Sequence, residues 1–168
     1  KTAIAMGCDS GVMLSDEVLI GCDARITARV LASAIEKLGD VDLAIFGKQA
    51  IDGDTGIVPV SVACTLGWTA LSYVAQVNEL DVRNLRISVG RSMEEGRQNC
   101  SAALPAVISV VKEINEPRYP SFIGIRKASK AEIPVWDLAK LGLEKATIKV
   151  GDAAVTWADI RLLPVSSG

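Results

Sequence analysis

Fifteen consecutive residues constrain this chain more than any others. Asp42 to Phe46 (DLAIF) is a short, nearly all-apolar run, and GKQAIDGDTG, Gly47 to Gly56, follows it directly. So brief and so apolar a run predicts a strand buried on both faces, as in a parallel sheet. Upstream, Asp23 predicts a helix N-cap. Beyond it Val30, Leu31, Ala34, Ile35 and Leu38 share one face at a helical period. Arg25, Arg29, Glu36 and Lys37 form the wet side, and Gly39 closes the helix. Downstream, a second helix is expected from about Ile57 to Leu66. Helices alternating with buried strands imply an α/β fold.

The decapeptide falls at the carboxyl end of that strand and just before a helix, where open α/β sheets bind ligands. Gly47, Gly53 and Gly56 allow backbone conformations and close approaches that other residues forbid. Thr55 and Gly56 fall at the helix start, where unpaired N–H groups and the dipole attract phosphate. Asp52 and Asp54 stand against a simple phosphate site, because carboxylates repel phosphate. They either tie the loop internally or meet a hydroxyl or cation. The loop is neither GxxxxGK[ST] nor GxGxxG. A magnesium site from Asp52 and Asp54 is the weaker reading, since hard cations want more oxygens than these two supply. The plain structural alternative is a glycine-rich turn with Asp as helix cap.

Composition narrows the chemistry. The 168 residues contain no histidine, which excludes Ser-His-Asp and Cys-His catalysis and every imidazole metal site. A net charge of −2 gives no global attraction to nucleic acid or anionic lipid, and 4% aromatic residues are too few for base stacking. Cys8, Cys22, Cys64 and Cys100 are scattered, with no C-x-x-C pair, and read as reduced, small apolar residues. Thr55 to Asn78 carries no charge, but Pro59 and Leu66-Gly67-Trp68 break it. It reads as a buried helix and a strand near Ser72 to Val77, with no membrane insertion.

Around this centre, Gly11 to Leu14 predicts a short strand and Val18 to Ile20 another brief run. Leu85, Ile87 and Val89 alternate with Arg86, Ser88 and Gly90, as in a half-wet antiparallel edge strand. Met93 to Arg97 predicts a hairpin turn and Ala106 to Val111 a buried strand. From Asn115 the texture changes: NEPRYPSFIGIRKASKAEIPVW has three prolines and a cluster of cations, expected as a long ordered loop and a short helix. The tail from Leu138 reads as irregular and extended, with Trp136 and Trp157 as anchors.

GKQAIDGDTG with its uncharged helix, then NEPRYPSFIGIRKASK, and AIAMGCD near the start together resemble the beta subunit of electron transfer flavoprotein, in order and in spacing. The likeness covers residues 2 to about 136, and the tail VWDLAKLGLEKATIKV is similar to the end of some prokaryotic members. The resemblance implies a Rossmann-like three-layer α/β sandwich of the adenine-nucleotide alpha-hydrolase-like type, its sheet mostly parallel with an antiparallel edge. It implies a nucleotide-binding domain over 1–116 without its N-terminal part, a partner-recognition loop and short helix over 117–130, and an extended segment over 131–168 contacting an alpha subunit. About the first third of a usual beta subunit is expected to be missing. The implied setting is the cytoplasm of a prokaryote, or the mitochondrial matrix of a eukaryote.

By the same resemblance, an adenine nucleotide is bound by Gly47, Lys48, Gln49, Ala50, Ile51, Asp52, Gly53, Asp54, Thr55, Gly56, Ile57 and Val58, with N–H groups from Asp54 to Val58 holding phosphate. That nucleotide is AMP in ordinary members and FAD in electron-bifurcating ones, and a further FAD sits in the alpha subunit. The family usually has Gln where Ile57 stands, and Gly near Pro59. The second motif implies docking of acyl-CoA or other flavin dehydrogenases through Phe122, with Arg126, Lys127 and Lys130 steering towards an acidic surface. Arg118 and Tyr119 are expected to fasten that loop internally. No residue is expected to be catalytic and none to bind a metal: the chain reads as an electron-carrier subunit. The alternatives are a nucleotide-using transferase or pyrophosphatase, with Asp52 and Asp54 as its carboxylates, and a nucleotide-sensing domain on a related fold.

Overall fold

The computed structural model describes residues 1–51, 53–145, 148 and 153–155. In chain order the elements are α1 (Thr2–Ala5), β1 (Met13–Leu14), α2 (Ala24–Leu38), β2 (Leu43–Gly47), α3 (Val58–Leu66), β3 (Thr69–Asp81), β4 (Arg86–Met93), β5 (Gly96–Ala103), β6 (Ala106–Val110), α4 (Phe122–Lys130) and β7 (Val135–Trp136). Short 3-10 turns lie at Glu17–Leu19 and Lys112–Ile114. No helix among the described residues is long and apolar enough to cross a membrane.

The bounds of α2 follow from its ends. The Asp23 carboxylate accepts the Ile26 N–H at 2.9 Å, and Gly39 leaves the helix at φ +63°. Its apolar residues serve two surfaces rather than one. Ala28 and Ala32 meet Val62 and Ala63 of α3, with Leu31 and Ile35 alongside. Ile26 and Val30 face another way, onto Leu138 and Ile148. Leu38, expected inside, is 56% exposed, because the chain turns away at Gly39 just beyond it.

A mostly parallel sheet is not what forms. The five strands run in the order β2-β6-β3-β4-β5, and only the pairs β2–β6 and β6–β3 are parallel. The pairs β3–β4 and β4–β5 are antiparallel, so half of the pairings in this sheet have the opposite sense. The cause is the length of β3. Its first residues pair with β6 and its later ones with β4, so one strand belongs to both regimes. Two tight turns then close the hairpins. In the first, Asp81 accepts the N–H groups of Arg83 and Asn84 at 3.0 and 2.9 Å. The half-wet strand expected near Leu85 is β4, inside the antiparallel half, and the edge is β5. At the other edge lies β2. It is not buried on both faces: Ala44 is buried against the helices, while Ile45 points the other way and is 62% exposed.

The described residues of the C-terminal segment pack back on the domain. Leu138 and Ile148 are wholly buried against α2, β7 pairs with β1, and Lys37 lies 5.4 Å from the Trp136 ring. Asp16 accepts from the Val18 and Leu138 N–H groups and pairs with Lys145 at 3.1 Å. Asp23 spends its second oxygen on the N–H groups of Ala154 and Val155. Both carboxyls sit below the ordinary value. For Asp16 the leading cause is the Val18 N–H. For Asp23 burial pushes upward, and the N–H donors of Ile26, Ala154 and Val155 outweigh it. Trp157 lies outside the described residues.

Candidate functional site

β2 delivers Gly47 at the carboxyl end of the parallel strands, and α3 begins at Val58. The loop between them is tied to itself. The Asp54 N–H donates to the Ala50 carbonyl at 3.0 Å, closing a turn, and the Gln49 side-chain amide donates to the Asp54 carboxylate. Asp54 adopts φ +47°, a region Asp tolerates better than most residues. Gly56 adopts φ +64°, and a Cβ there would lie 3.7 Å from the Lys48 carbonyl, so the two ends of the loop are in contact. No side chain caps α3, and Pro59 removes one N–H from its first turn.

These constraints leave a concavity of about 300 Å³ lined by Thr27, Phe46, Gly47, Gln49, Ala50, Thr55, Gly56, Val58 and Pro59. Gly47, Gln49, Ala50, Thr55, Gly56 and Val58 are thus brought together as expected. Lys48 is not with them. Its ammonium sits 5.6 Å from the centre of the Tyr73 ring, on another side of the loop. Ile51 is fully exposed and Ile57 half-exposed, and neither they nor Gly53 line the concavity. Asp54 has become a loop tie rather than a lining residue. Its N–H, expected among the phosphate donors, is already taken by Ala50. Asp52 lies outside the described residues.

Thr27, Phe46 and Pro59 were not among the expected ligand contacts. Phe46 had a signal, since it shares with Ala44 the face of β2 that packs on the helices. Thr27 had none. Its hydroxyl donates to the Asp23 carbonyl at 2.9 Å, and only the packing of α2 on α3 brings it to the loop.

The second expected surface is α4. Ser121 caps it, accepting the Gly124 N–H at 2.9 Å. Ala128 is buried against Ile4 and Ala5, and Lys1 donates to the Ser129 carbonyl at 3.0 Å. The outer face is apolar: Phe122 is 85% exposed, with Ile123 and Tyr119 similarly bare. Arg126, Lys127 and Lys130 are exposed beside it, and Lys127 has only a loose 4.0 Å pairing with Asp9. Of the two residues expected to fasten this loop internally, Arg118 brings its guanidinium near Gly7 but is exposed, and Tyr119 is almost fully bare.

Among the described residues no group of three or more acidic or thiol side chains is placed to hold a metal ion. All four cysteines are free thiols, Cys8 and Cys64 exposed; for Cys22, half-buried, burial and then the neighbouring Asp23 push the thiol upward.

A strand ending in a glycine-rich loop and an uncapped helix start, beside parallel neighbours, defines an α/β domain of the open-sheet class, in which the strands' carboxyl ends are the usual ligand position. Comparison with known proteins makes this particular. Residues 1–141 match the electron transfer flavoprotein domain. The whole chain is 36% identical to the electron transfer flavoprotein subunit beta of Megasphaera elsdenii, covering 63% of that protein. The caffeyl-CoA reductase–Etf complex subunit CarD of Acetobacterium woodii is 36% identical over 85% of this chain and 53% of its own length. Protein FixA of Azorhizobium caulinodans is 34% identical over 86% of this chain and 53% of its own. The chain belongs to the electron transfer flavoprotein family, on its beta-subunit side. It spans between 53% and 63% of the length of these relatives.

Proposed function

We propose that this chain is part of the beta subunit of a heterodimeric electron transfer flavoprotein, an electron carrier rather than an enzyme. The nucleotide it binds is an adenine nucleotide, AMP or FAD, in the concavity at Gly47–Val58. The observation that supports this most is the loop itself: polar side chains, open glycines and an uncapped helix start converge on one concavity at a sheet's carboxyl end. Gln49, Thr27 and Thr55 supply neutral hydrogen-bonding groups for base and ribose. The N–H groups of Thr55, Gly56 and Val58 face the phosphate, where charge-assisted bonds are strongest.

The partner alpha subunit would hold the FAD, which supplies the electron-transfer chemistry when bound. This chain's residues orient and dock. Phe122 on α4 is the apolar anchor for a flavin dehydrogenase, acyl-CoA dehydrogenase among them, and Arg126, Lys127 and Lys130 steer its approach. Such a carrier works in the cytoplasm of a prokaryote, or in the matrix of a mitochondrion.

The test is to purify the whole protein with its alpha subunit and follow flavin reduction by a reduced dehydrogenase. Phe122→Ala should slow that exchange about tenfold while leaving the nucleotide bound. A whole protein that holds no alpha subunit, or exchange unchanged in the variant, would count against the reading.

A further inference from the structure

α2 is packed on two sides. Ala28 and Ala32 lie against α3, next to the loop that follows β2. Ile26 and Val30 form a second seat, which they share with Cys22 and which Leu138, Ile148 and Ala153 of the C-terminal segment cover. Thr27 stands between the two, in the first turn, and lines the concavity of the loop. One helical turn therefore meets both the candidate ligand site and the C-terminal segment.

Asp23 joins them. One of its carboxylate oxygens accepts the Ile26 N–H at 2.9 Å and caps the helix. The other accepts the N–H groups of Ala154 and Val155 at 2.6 and 3.3 Å, 131 and 132 positions along the chain. The Asp23 carbonyl accepts the Thr27 N–H at 3.0 Å and the Thr27 hydroxyl at 2.9 Å. A hydroxyl that gives its proton to that carbonyl has only lone pairs left to offer. A ligand in the concavity can then hydrogen-bond Thr27 only as a donor, through a ribose hydroxyl or a base amino group. Phosphate oxygens cannot make this bond. Hydrogen bonds in such a chain strengthen one another, and the end of a helix is where fraying starts.

Resting on the nucleotide reading above, we propose that Ala153–Val155 is the end of a strap whose closure on Asp23 is coupled through Thr27 to occupancy of the concavity. The strap end has two states. Closed, it places the Ala154 and Val155 N–H groups on the Asp23 carboxylate and Ala153 in the apolar seat. Open, it leaves that oxygen and that seat to water. A ligand donor on Thr27 pins the first turn of α2, holds Asp23 in its capping geometry and so favours the closed state. Such coupling is reciprocal: the factor that the ligand adds to closure, closure adds to ligand affinity. Asp23 is thereby a positioning residue for the ligand, although it does not line the concavity.

Hydrogen exchange and iodoacetamide alkylation of the whole protein with its alpha subunit, first stripped of nucleotide and then saturated with AMP, test this. AMP should slow exchange at Ala154 and Val155, and alkylation at Cys22, about fivefold. Cys100, which packs in the antiparallel half, should react at one rate in both states. Thr27→Val keeps the shape and loses the hydroxyl. AMP should bind it more weakly and, at saturation, should no longer protect Ala154 and Val155. Asp23→Ser keeps a cap for Ile26 but loses the oxygen that holds the strap. It should bind AMP about fivefold more weakly, the same factor by which AMP closes the native strap. AMP that binds without changing exchange at Ala154 and Val155 would overturn the coupling and leave the nucleotide site standing. So would protection that survives Thr27→Val, or native affinity in Asp23→Ser. A native protein that binds no AMP would overturn both.

Discussion

The loop at Gly47–Gly56 and the helix α4 both show bare apolar residues, yet they are built in opposite ways. The loop is concave, its bonds are internal, and neutral groups face inwards. Ile51 and Ile57 project outside the hollow. The helix is convex and is fastened from behind, by Ala128 in its apolar seat, by the close approach of Gly124 to Ala5 and by the Lys1 bond to the Ser129 carbonyl. Its exposed front carries Phe122, Ile123 and three cations. A concave, self-tied, neutral surface suits a small ligand that must be enclosed. A convex apolar front with a basic rim suits a macromolecule that arrives from solution. The teaching is that two contacts of different kind can be separated by substitution.

The largest effect is expected at the back of α4. A Cβ on Gly124 would lie 2.2 Å from the Ala5 carbonyl oxygen, so Gly124→Ala must push α4 off α1. We expect a loss of about 2 kcal/mol and fast amide exchange over 122–130. Nucleotide affinity should be unchanged; a parallel loss of nucleotide would break the separation. Next comes the loop. Gly56→Ala forces a side chain into φ +64°. It should cost about 1 kcal/mol and weaken nucleotide binding about fivefold, with α4 unaffected.

Acid should separate α4 from a third region, the segment held by Asp16 and Asp23. Asp16 and Asp23 are both held below the ordinary carboxylate value, so their contribution is fully present above that value and is lost as the pH falls through the lower folded one. Proteolysis of the segment following Leu138 should therefore accelerate below about pH 4, with α4 still protected at the onset. Asp23→Ala should reproduce part of this at neutral pH, removing about 1 kcal/mol of helix cap together with the hold on Ala154. Simultaneous opening of α4 would contradict it. The smallest stability effect is expected at the front of α4. Phe122→Ala should shift thermal unfolding by less than about 0.5 kcal/mol, since the ring buries little. A marked destabilisation would mean that Phe122 belongs to the fold rather than to docking.

How much of this was legible depended on whether local chemistry decided the outcome. α2 was legible to the residue because Asp23 and Gly39 terminate it whatever surrounds it. The loop was legible because a short apolar strand, three glycines and an uncharged helix follow one another with no room between. The antiparallel half was not. β5 reads GRQNCSAA, with no apolar alternation to mark a strand, and only the hairpin turn at Glu94 and Glu95 brings it beside β4. Ile45 and Leu38 misled for one reason: periodicity reports which residues could be buried, not whether another element arrives to cover them. Lys48 and Tyr73 are twenty-five positions apart, and their meeting depends on a bulge whose cause, Ser109, lies in a third strand. The exposure of Phe122 came from the resemblance, since FIGI fits a core helix equally well.

The central claim is that an adenine nucleotide occupies the loop after β2. Hydrogen exchange on the whole protein, with its extracted nucleotide identified by mass, tests that most directly. The account predicts a stoichiometric adenine nucleotide, and amides over Thr55 to Val58 that exchange slowly when it is bound and quickly once it is stripped. A protein that yields no adenine nucleotide, or one whose protection on binding falls elsewhere and spares this loop, would contradict it.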